Sequence, residues 1–338
     1  MKLGAHVPLW LASRVGGSAI SGIHDTMRTL DESAFCCATT GDTVQNHAEL
    51  YTAMGAMAAL TERITVAPLT TQLVTRRTEH VLAHTLSMGL LAQGRYRLVL
   101  SRGDSSVLQL GEKPQTVSSF WKTFDQLREL LHEAWGNLQR RRVVETGPPG
   151  MYVVGEGPKM IRIAAAKADG LYSGVGLDHA SVTLVTRWIE EGLAQRPHSL
   201  GKLDHWRVAR ASIALDDDEA EVQLGRGLAS MVAHSLGTAP EKKGIPEALM
   251  PAMREYCASY SYEDKAGHDG QDGNIDRLKS LGLYQYARDR YAVTGSIVST
   301  TARISELRSR GISQLHVAVR SAGEVELWEE ALVRSGQE

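Results

Sequence analysis

The chain has 338 residues, 43% hydrophobic and 22% charged, with a formal net charge of −2. Such a composition sustains a full buried core, in one large barrel or two ordinary domains, and without a basic field neither nucleic acid nor an anionic membrane is an expected partner. Three cysteines, two of them adjacent (Cys36, Cys37), give no disulfide framework and no zinc spacing, and the opening MKLGAHVPLWLASRVGG breaks its apolar run too early for a signal peptide or a membrane span. A soluble cytoplasmic protein is expected.

KLGAHVP (2–8), SAFCCATT (33–40), RITVAPLTT (63–71) and YRLVLS (96–101) read as the first four strands. Helical spacing of Leu, Met and Ala fills HAELYTAMGAMAAL (47–60) and EHVLAHTLSMGLLA (79–92) between them. GMYVVGEG (150–157), ADGLYSGV (168–175), WRVARASIAL (206–215) and SQLHVAVR (313–320) read as four more strands. Several lack strict alternation, as strands covered on both faces do. Eight strands alternating with helices predict a single α/β domain over 1–338, a (β/α)8 TIM barrel. Two stretches break the rhythm. Residues 136–149 are too polar for a core helix and predict a small hairpin before the fifth strand. Residues 237–291 exceed any connection the barrel needs and predict a helical insertion after the seventh strand, with helices at 244–260 and 274–291 around EDKAGHDGQDG. An insertion of this size serves as a lid or a contact surface.

In such a barrel chemistry sits on the loops leaving the strands' carboxyl ends, which singles out His6, Asp42, Thr70, Thr71, the run from Arg102 to Ser106, and Gly155 to Lys159. VVGEGPKM carries Gly155 and Gly157 after a strand but has Met160 where a dinucleotide fingerprint has its third glycine, so a Rossmann reading is rejected. What survives is physical: Pro158 suits a first helical position, and a helix N-terminus attracts phosphate. The alternative is a tight turn that binds nothing. The turn Arg102-Gly103-Asp104-Ser105-Ser106 likewise reads as a binding loop or a helix cap. His80 and His84 share a helix face without a third metal ligand, so no metal site is expected, and Asp216 to Glu219 suit a helix N-terminus.

LAQGRYRLVLSRGDSS followed by LGEKP resembles the signature of the bacterial luciferase-like oxidoreductases: Gly94-Arg95 enters the fourth strand and Gly103-Asp104-Ser105 leaves it, with Gly111 and Pro114 downstream. AALTERITVAP, GPKMIRIAAAKADGLYSG and YAVTGSIVSTTARISELRSRGISQLHVAV are similar to further family segments. The Gly-Asp-Ser form and GIPEAL are most similar to the branch that uses the deazaflavin F420, which includes methylenetetrahydromethanopterin reductase. The resemblance implies a TIM barrel with an insertion after strand seven, often a homodimer, with F420 at the mouth, or flavin mononucleotide (FMN) in monooxygenase relatives. Its cradle would comprise Arg102, Gly103, Asp104, Ser105 and Ser106 with Gly155, Glu156, Gly157, Pro158 and Lys159. Thr70 and Thr71 would lie at the ring edge, in a loop where relatives hold a strained peptide. His6 is the first choice to move a proton to or from a small-molecule substrate, with Asp42 and His47 as alternatives. Arg102 would pair with a carboxylate of a ligand, or with Asp104. Two departures, Ser101 in place of a glycine and Thr78-Glu79 in place of His-Pro, leave room for a barrel that binds a ligand without redox turnover. Trp10, Met250, Tyr260 and Tyr262 are apolar candidates for the mouth.

Overall fold

The structure, a computed structural model, describes residues 1–8, 19–42, 49–103, 105–108, 110–237, 239–261 and 273–336, with only the backbone of 19–22, 105 and 226. Eight parallel strands close a barrel: β1 (Lys2–His6), β2 (Cys37–Thr40), β3 (Thr65–Pro68), β5 (Arg97–Ser101), β6 (Gly150–Val154), β7 (Gly170–Ser173), β8 (Asp204–Val208) and β11 (Gln314–Ala318). They pair in the order β3-β2-β1-β11-β8-β7-β6-β5, and a two-residue strand β4 (Thr71–Gln72) extends β3 beside β5. A bridge from Val66 to Tyr96 shuts the remaining gap between β3 and β5. Helices α1 (Ala19–Glu32), α2 (Leu50–Ala59), α3 (Thr78–Leu91), α5 (Val117–Arg140), α6 (Pro158–Lys167), α7 (His179–Leu193), α12 (Ile297–Ser309) and α13 (Ala322–Arg334) form the outer ring, with a single turn α4 (Ser105–Leu108) after β5.

The strands read as apolar runs because both faces are covered, yet a period of two divides them. Leu3, Ala5, Leu98, Leu100, Met151, Val153, Leu315 and Val317 join the core under the helices. Cys37, Ala67, Val99, Tyr152, Tyr172 and Trp206 pack inside the barrel. Large rings there stand against glycines. A Cβ on Gly4 would lie 2.8 Å from His316 Cδ2 and 3.1 Å from the Trp206 ring, and one on Gly170 would enter the Tyr152 ring. Arg97 pairs with Asp204 at 3.2 Å, and Tyr152 Oη and Trp206 Nε1 donate to the same carboxylate at 2.9 and 3.1 Å, so the amino end of the barrel is stoppered.

Three expectations need correction. Residues 136–149 form no hairpin: α5 runs on through Arg140, because Trp135 is buried and its Nε1 donates to Thr146 O at 2.9 Å, folding a plain loop back on the helix. The helix expected over 274–291 is two, α10 (Gly273–Ser280) and α11 (Tyr284–Tyr291), parted where Gly282 takes φ +68°. The seventh strand continues past β8 as β9 (Arg210–Ile213), which pairs with a strand not anticipated, β10 (Ala292–Gly295). Between β9 and β10 lie α8 (Asp217–Leu236), α9 (Met250–Ser259), α10 and α11, so the helical insertion already begins with α8. Asp216 does cap α8, accepting from Glu219 N at 2.8 Å.

Arg290 fastens this layer to the barrel. It is 1% exposed, and it donates to Val175 O (3.0 Å), Tyr286 Oη (2.7 Å) and Lys243 O (2.6 Å). Among the described residues no helix is long and apolar enough to cross a membrane.

Candidate active site

The carboxyl ends of the strands carry the polar groups. On β1, β2 and β11 a chain of three side chains runs inward: His6 Nδ1 lies 3.2 Å from Thr39 Oγ1, which lies 3.2 Å from His316 Nε2. Parallel pairing fixes it, since His6 is level with Thr39 on one side and Ala318 on the other, two residues beyond His316. His6 is half-buried at the rim, whereas His316 is buried and stands edge-on to Tyr172. Burial, with Arg210 and Arg320 adding repulsion, pushes the His6 imidazole down to about 4; burial also holds His316 well below its ordinary value. Both rings are therefore neutral near pH 7. One hydroxyl has one proton, so Thr39 donates to one ring and accepts from the other. If it donates to His316, His6 Nδ1 carries hydrogen and Nε2 is a bare acceptor. In the reverse arrangement Nε2 carries the hydrogen. Passing from the first arrangement to the second takes up one proton at His6 Nε2 and gives one up at His316 Nδ1.

Asp42 does not stand free beside it. Its carboxylate takes a bidentate pair from Arg76 at 2.9 Å each and accepts from Thr71 Oγ1 at 3.3 Å. Arg76 also pairs with Glu49 at 3.1 Å and lies 4.2 Å over the Tyr51 ring, which stacks on His84 at 3.7 Å. Asp42, Thr71 and His84 thus belong to one packed cluster behind the mouth, and Thr71 is fully buried. His80, by contrast, is exposed. His47 lies outside the described residues, as do Asp104, Trp10 and Tyr262.

The peptide between Leu69 and Thr70 is cis, in the loop that sequence resemblance singles out. Thr70 Oγ1 lies 2.8 Å from Ser101 Oγ, and Gly103 N donates to that same Ser101 oxygen at 3.4 Å. The serine that departs from the family pattern therefore ties the third loop to the fourth. Arg102 is committed as well: Nη1 donates to Gln115 O at 3.0 Å, and Gln115 N donates to Arg102 O at 2.9 Å. Gly103 has φ +80°, and a Cβ there would run into Val107, so its glycine is needed for the turn's own packing. Ser105 and Ser106 begin α4, with the Ser106 side chain half-buried.

The second loop is more open. Gly155 N is spent on Tyr172 O at 2.9 Å, but Gly157 caps α6 with Pro158 at the first helical position and no side-chain cap. Among the described residues the N–H groups of Gly157, Lys159 and Met160 have no backbone partner, and a Cβ on Gly157 would meet nothing within 4 Å. Lys159 is exposed beside them. Glu156 turns away under the mouth, where a Cβ on Gly174 would lie 2.7 Å from its Oε1.

Sequence reasoning missed Thr39, His316, Arg210 and Arg320. His316 is the polar break in SQLHVAV, and Arg210 interrupts an apolar strand; a charge in such a run is the signal that was available. A surface hollow of about 610 Å³ between α7 and the end of α12, lined by His179, Arg187 and Arg310 among others, includes none of the predicted site residues.

A closed parallel barrel with an inserted helical layer and a polar mouth at the carboxyl ends defines a (β/α)8 protein whose ligand site is built on its loops. A family profile described as luciferase-like monooxygenase matches residues 1–305, and the chain belongs to that family. Membership supports reading it as an oxidoreductase. The 5,10-methylenetetrahydromethanopterin reductase of Archaeoglobus fulgidus is 26% identical over 166 residues, which are 49% of this chain and 46% of that protein, so the match spans about half of each. The structure of the coenzyme F420-dependent tetrahydromethanopterin reductase of Methanopyrus kandleri superposes with a TM-score of 0.68 at 15% identity, covering 98% of this chain and 99% of that one. The oxygenating constituent of the 3,6-diketocamphane monooxygenase of Pseudomonas putida, a type II Baeyer–Villiger monooxygenase solved with FMN, gives 0.57 at 15% identity, covering 99% and 96%. At these identities the structures establish a shared fold.

Proposed function

We propose that the protein is an F420-dependent oxidoreductase that passes a hydride between the deazaflavin and a small organic substrate in the barrel mouth. The observation that carries this reading is the open end of α6, where unpaired N–H groups, an uncrowded Gly157 and the exposed Lys159 meet a phosphate's needs. The likeness in fold to a coenzyme F420-dependent tetrahydromethanopterin reductase supports F420 as the cofactor. When bound, the deazaflavin supplies a two-electron hydride carrier.

The chain's own residues do the rest. Gly157, Lys159 and Met160 bind the phosphate, while Thr70 and Ser106 offer hydroxyls from the two neighbouring loops. The rings of Tyr172 and Trp206 floor the site and exclude water from below. His6 accepts or holds a proton at Nε2, and the Thr39 hydroxyl, itself linked to His316, engages its Nδ1.

An FMN-dependent monooxygenase is the second reading, favoured by the FMN-bound neighbour and by the same open helix end, which suits either phosphate. Fluorescence titration with F420 and FMN side by side tests both. Binding of F420 at micromolar concentration or below, with FMN at least tenfold weaker, is expected. The reverse preference moves the chemistry to oxygen, and binding of neither removes the redox reading.

A further inference from the structure

Arg210 sits where the seventh strand leaves the barrel, at the start of β9. Three other arginines of the structure are engaged. Arg76 holds Asp42, Arg290 holds three acceptors, and Arg320 lies 3.4 Å from Glu324 and donates to Ala211 O at 3.1 Å. Arg210 Nε is buried with no hydrogen-bond partner, and among the described residues no ion pair reaches the guanidinium. The side chain is hemmed by α8, where a Cβ on Gly227 would come 3.5 Å from its Cδ. Glu156, Tyr260 from the end of α9, Arg320, His6 and His316 lie within its electrostatic reach.

Its Nε is shut from water without an acceptor, at a cost to folding, while the side chain as a whole is half-buried at the mouth. Glu156 and Tyr260 favour the charge from a distance, the Arg320 guanidinium opposes it, and the two imidazoles beside it are neutral. Burial accordingly lowers the Arg210 guanidinium from its ordinary value. Such an arrangement is retained when the acceptor arrives with a ligand. The planar fork of arginine matches a carboxylate with two parallel hydrogen bonds, and the aromatic floor of Tyr172 and Trp206 suits an apolar body attached to it.

We propose that Arg210 is the receptor for an oxyanion in the barrel mouth, and that the substrates of this protein are small organic carboxylates whose carboxylate it holds beside His6. The substrate half rests on the oxidoreductase reading above; the oxyanion site does not. The same chemistry has a second source, the acidic tail of the cofactor, and the test separates them.

The probes are benzoate and its uncharged counterpart benzamide, titrated calorimetrically into the full chain with and without F420, for the wild type, Arg210→Gln and Arg210→Lys. Benzoate is expected to bind the wild type at least tenfold more tightly than benzamide. Arg210→Gln should lose that preference and Arg210→Lys keep part of it. Without ligand, Arg210→Gln should melt no lower than the wild type, since it gives up no hydrogen bond or ion pair among the described residues, and benzoate should raise the melting temperature of the wild type alone. A structural arginine would give the opposite melting order. Equal binding of benzoate and benzamide, or undiminished benzoate binding by Arg210→Gln, overturns the proposal. F420 affinity should be the same in wild type and Arg210→Gln; a tenfold loss of F420 binding in the variant would give Arg210 to the cofactor and overturn the substrate class. If the wild type binds benzoate but no F420, the redox reading fails and the oxyanion site stands.

Discussion

Acid should loosen this protein well before its carboxylates protonate. Burial pushes His6 and His84 down to about 4 and His205 down to about 3, from an ordinary value near 6.5. His205 is held by Ser173 Oγ at 2.8 Å and His84 lies face to face with Tyr51 at 3.7 Å; burial outweighs the attraction of Asp204 for the first and of Glu49 for the second. Because the folded values are depressed, the unfolded chain takes up protons first. The stability these groups supply is complete above pH 6.5, falls as pH drops below it, and levels off once the folded imidazoles themselves titrate, near 4 for two and near 3 for the third. At pH 5 the gap is about 1.5 units for each, or about 2 kcal/mol apiece and about 6 kcal/mol together. Burial raises the Glu324 carboxyl, which works in the opposite sense and offsets part of the loss. Urea unfolding at pH 7.5, 6.0 and 5.0 measures the effect: the midpoint should fall at constant m-value, and His84→Phe should shrink the drop at pH 5 by about 2 kcal/mol. An unchanged midpoint between pH 7.5 and 5.0, or an equal drop in His84→Phe, would refute the reasoning.

Further tests address single contacts. Arg290→Met strips donors from two buried carbonyls and the half-buried Tyr286 hydroxyl, and should cost about 4 kcal/mol and speed hydrogen exchange in α9–α11 ahead of the barrel strands. Gly170→Ala drives a methyl into the Tyr152 ring and should cost about 3 kcal/mol in denaturant unfolding, whereas Gly157→Ala, with open space around it, should cost under about 1 kcal/mol. Thr39→Val removes the hydroxyl between His6 and His316 while keeping its shape; turnover with F420 should fall about tenfold at unchanged F420 affinity, measured by stopped-flow and titration.

The barrel was legible because its eight strands are buried on both faces and its helices carry three-and-four spacing. Neither signal depends on distant contacts. The loops were less legible for a physical reason. Arg102, Asp42 and Thr71 have the composition of ligand-binding residues, yet Gln115 O, Arg76 and Asp42 respectively engage them, and those partners lie 13, 34 and 29 residues away in the chain. Thr39 and His316 are 277 residues apart, and only barrel closure makes them neighbours. β10 escaped notice because AVTG is as short as a turn and pairs only with the extension of strand seven. Ser101 looked like a defect in a glycine pattern, whereas its hydroxyl links two loops.

The stopper of Arg97, Asp204, Tyr152 and Trp206 has a kinetic consequence. With its amino end shut, the barrel is a vessel with one doorway. Of two molecules seated one above the other, the deeper must enter first and depart last, so any two-ligand reaction here follows a compulsory order, and excess of the shallower ligand should trap the deeper one rather than compete with it.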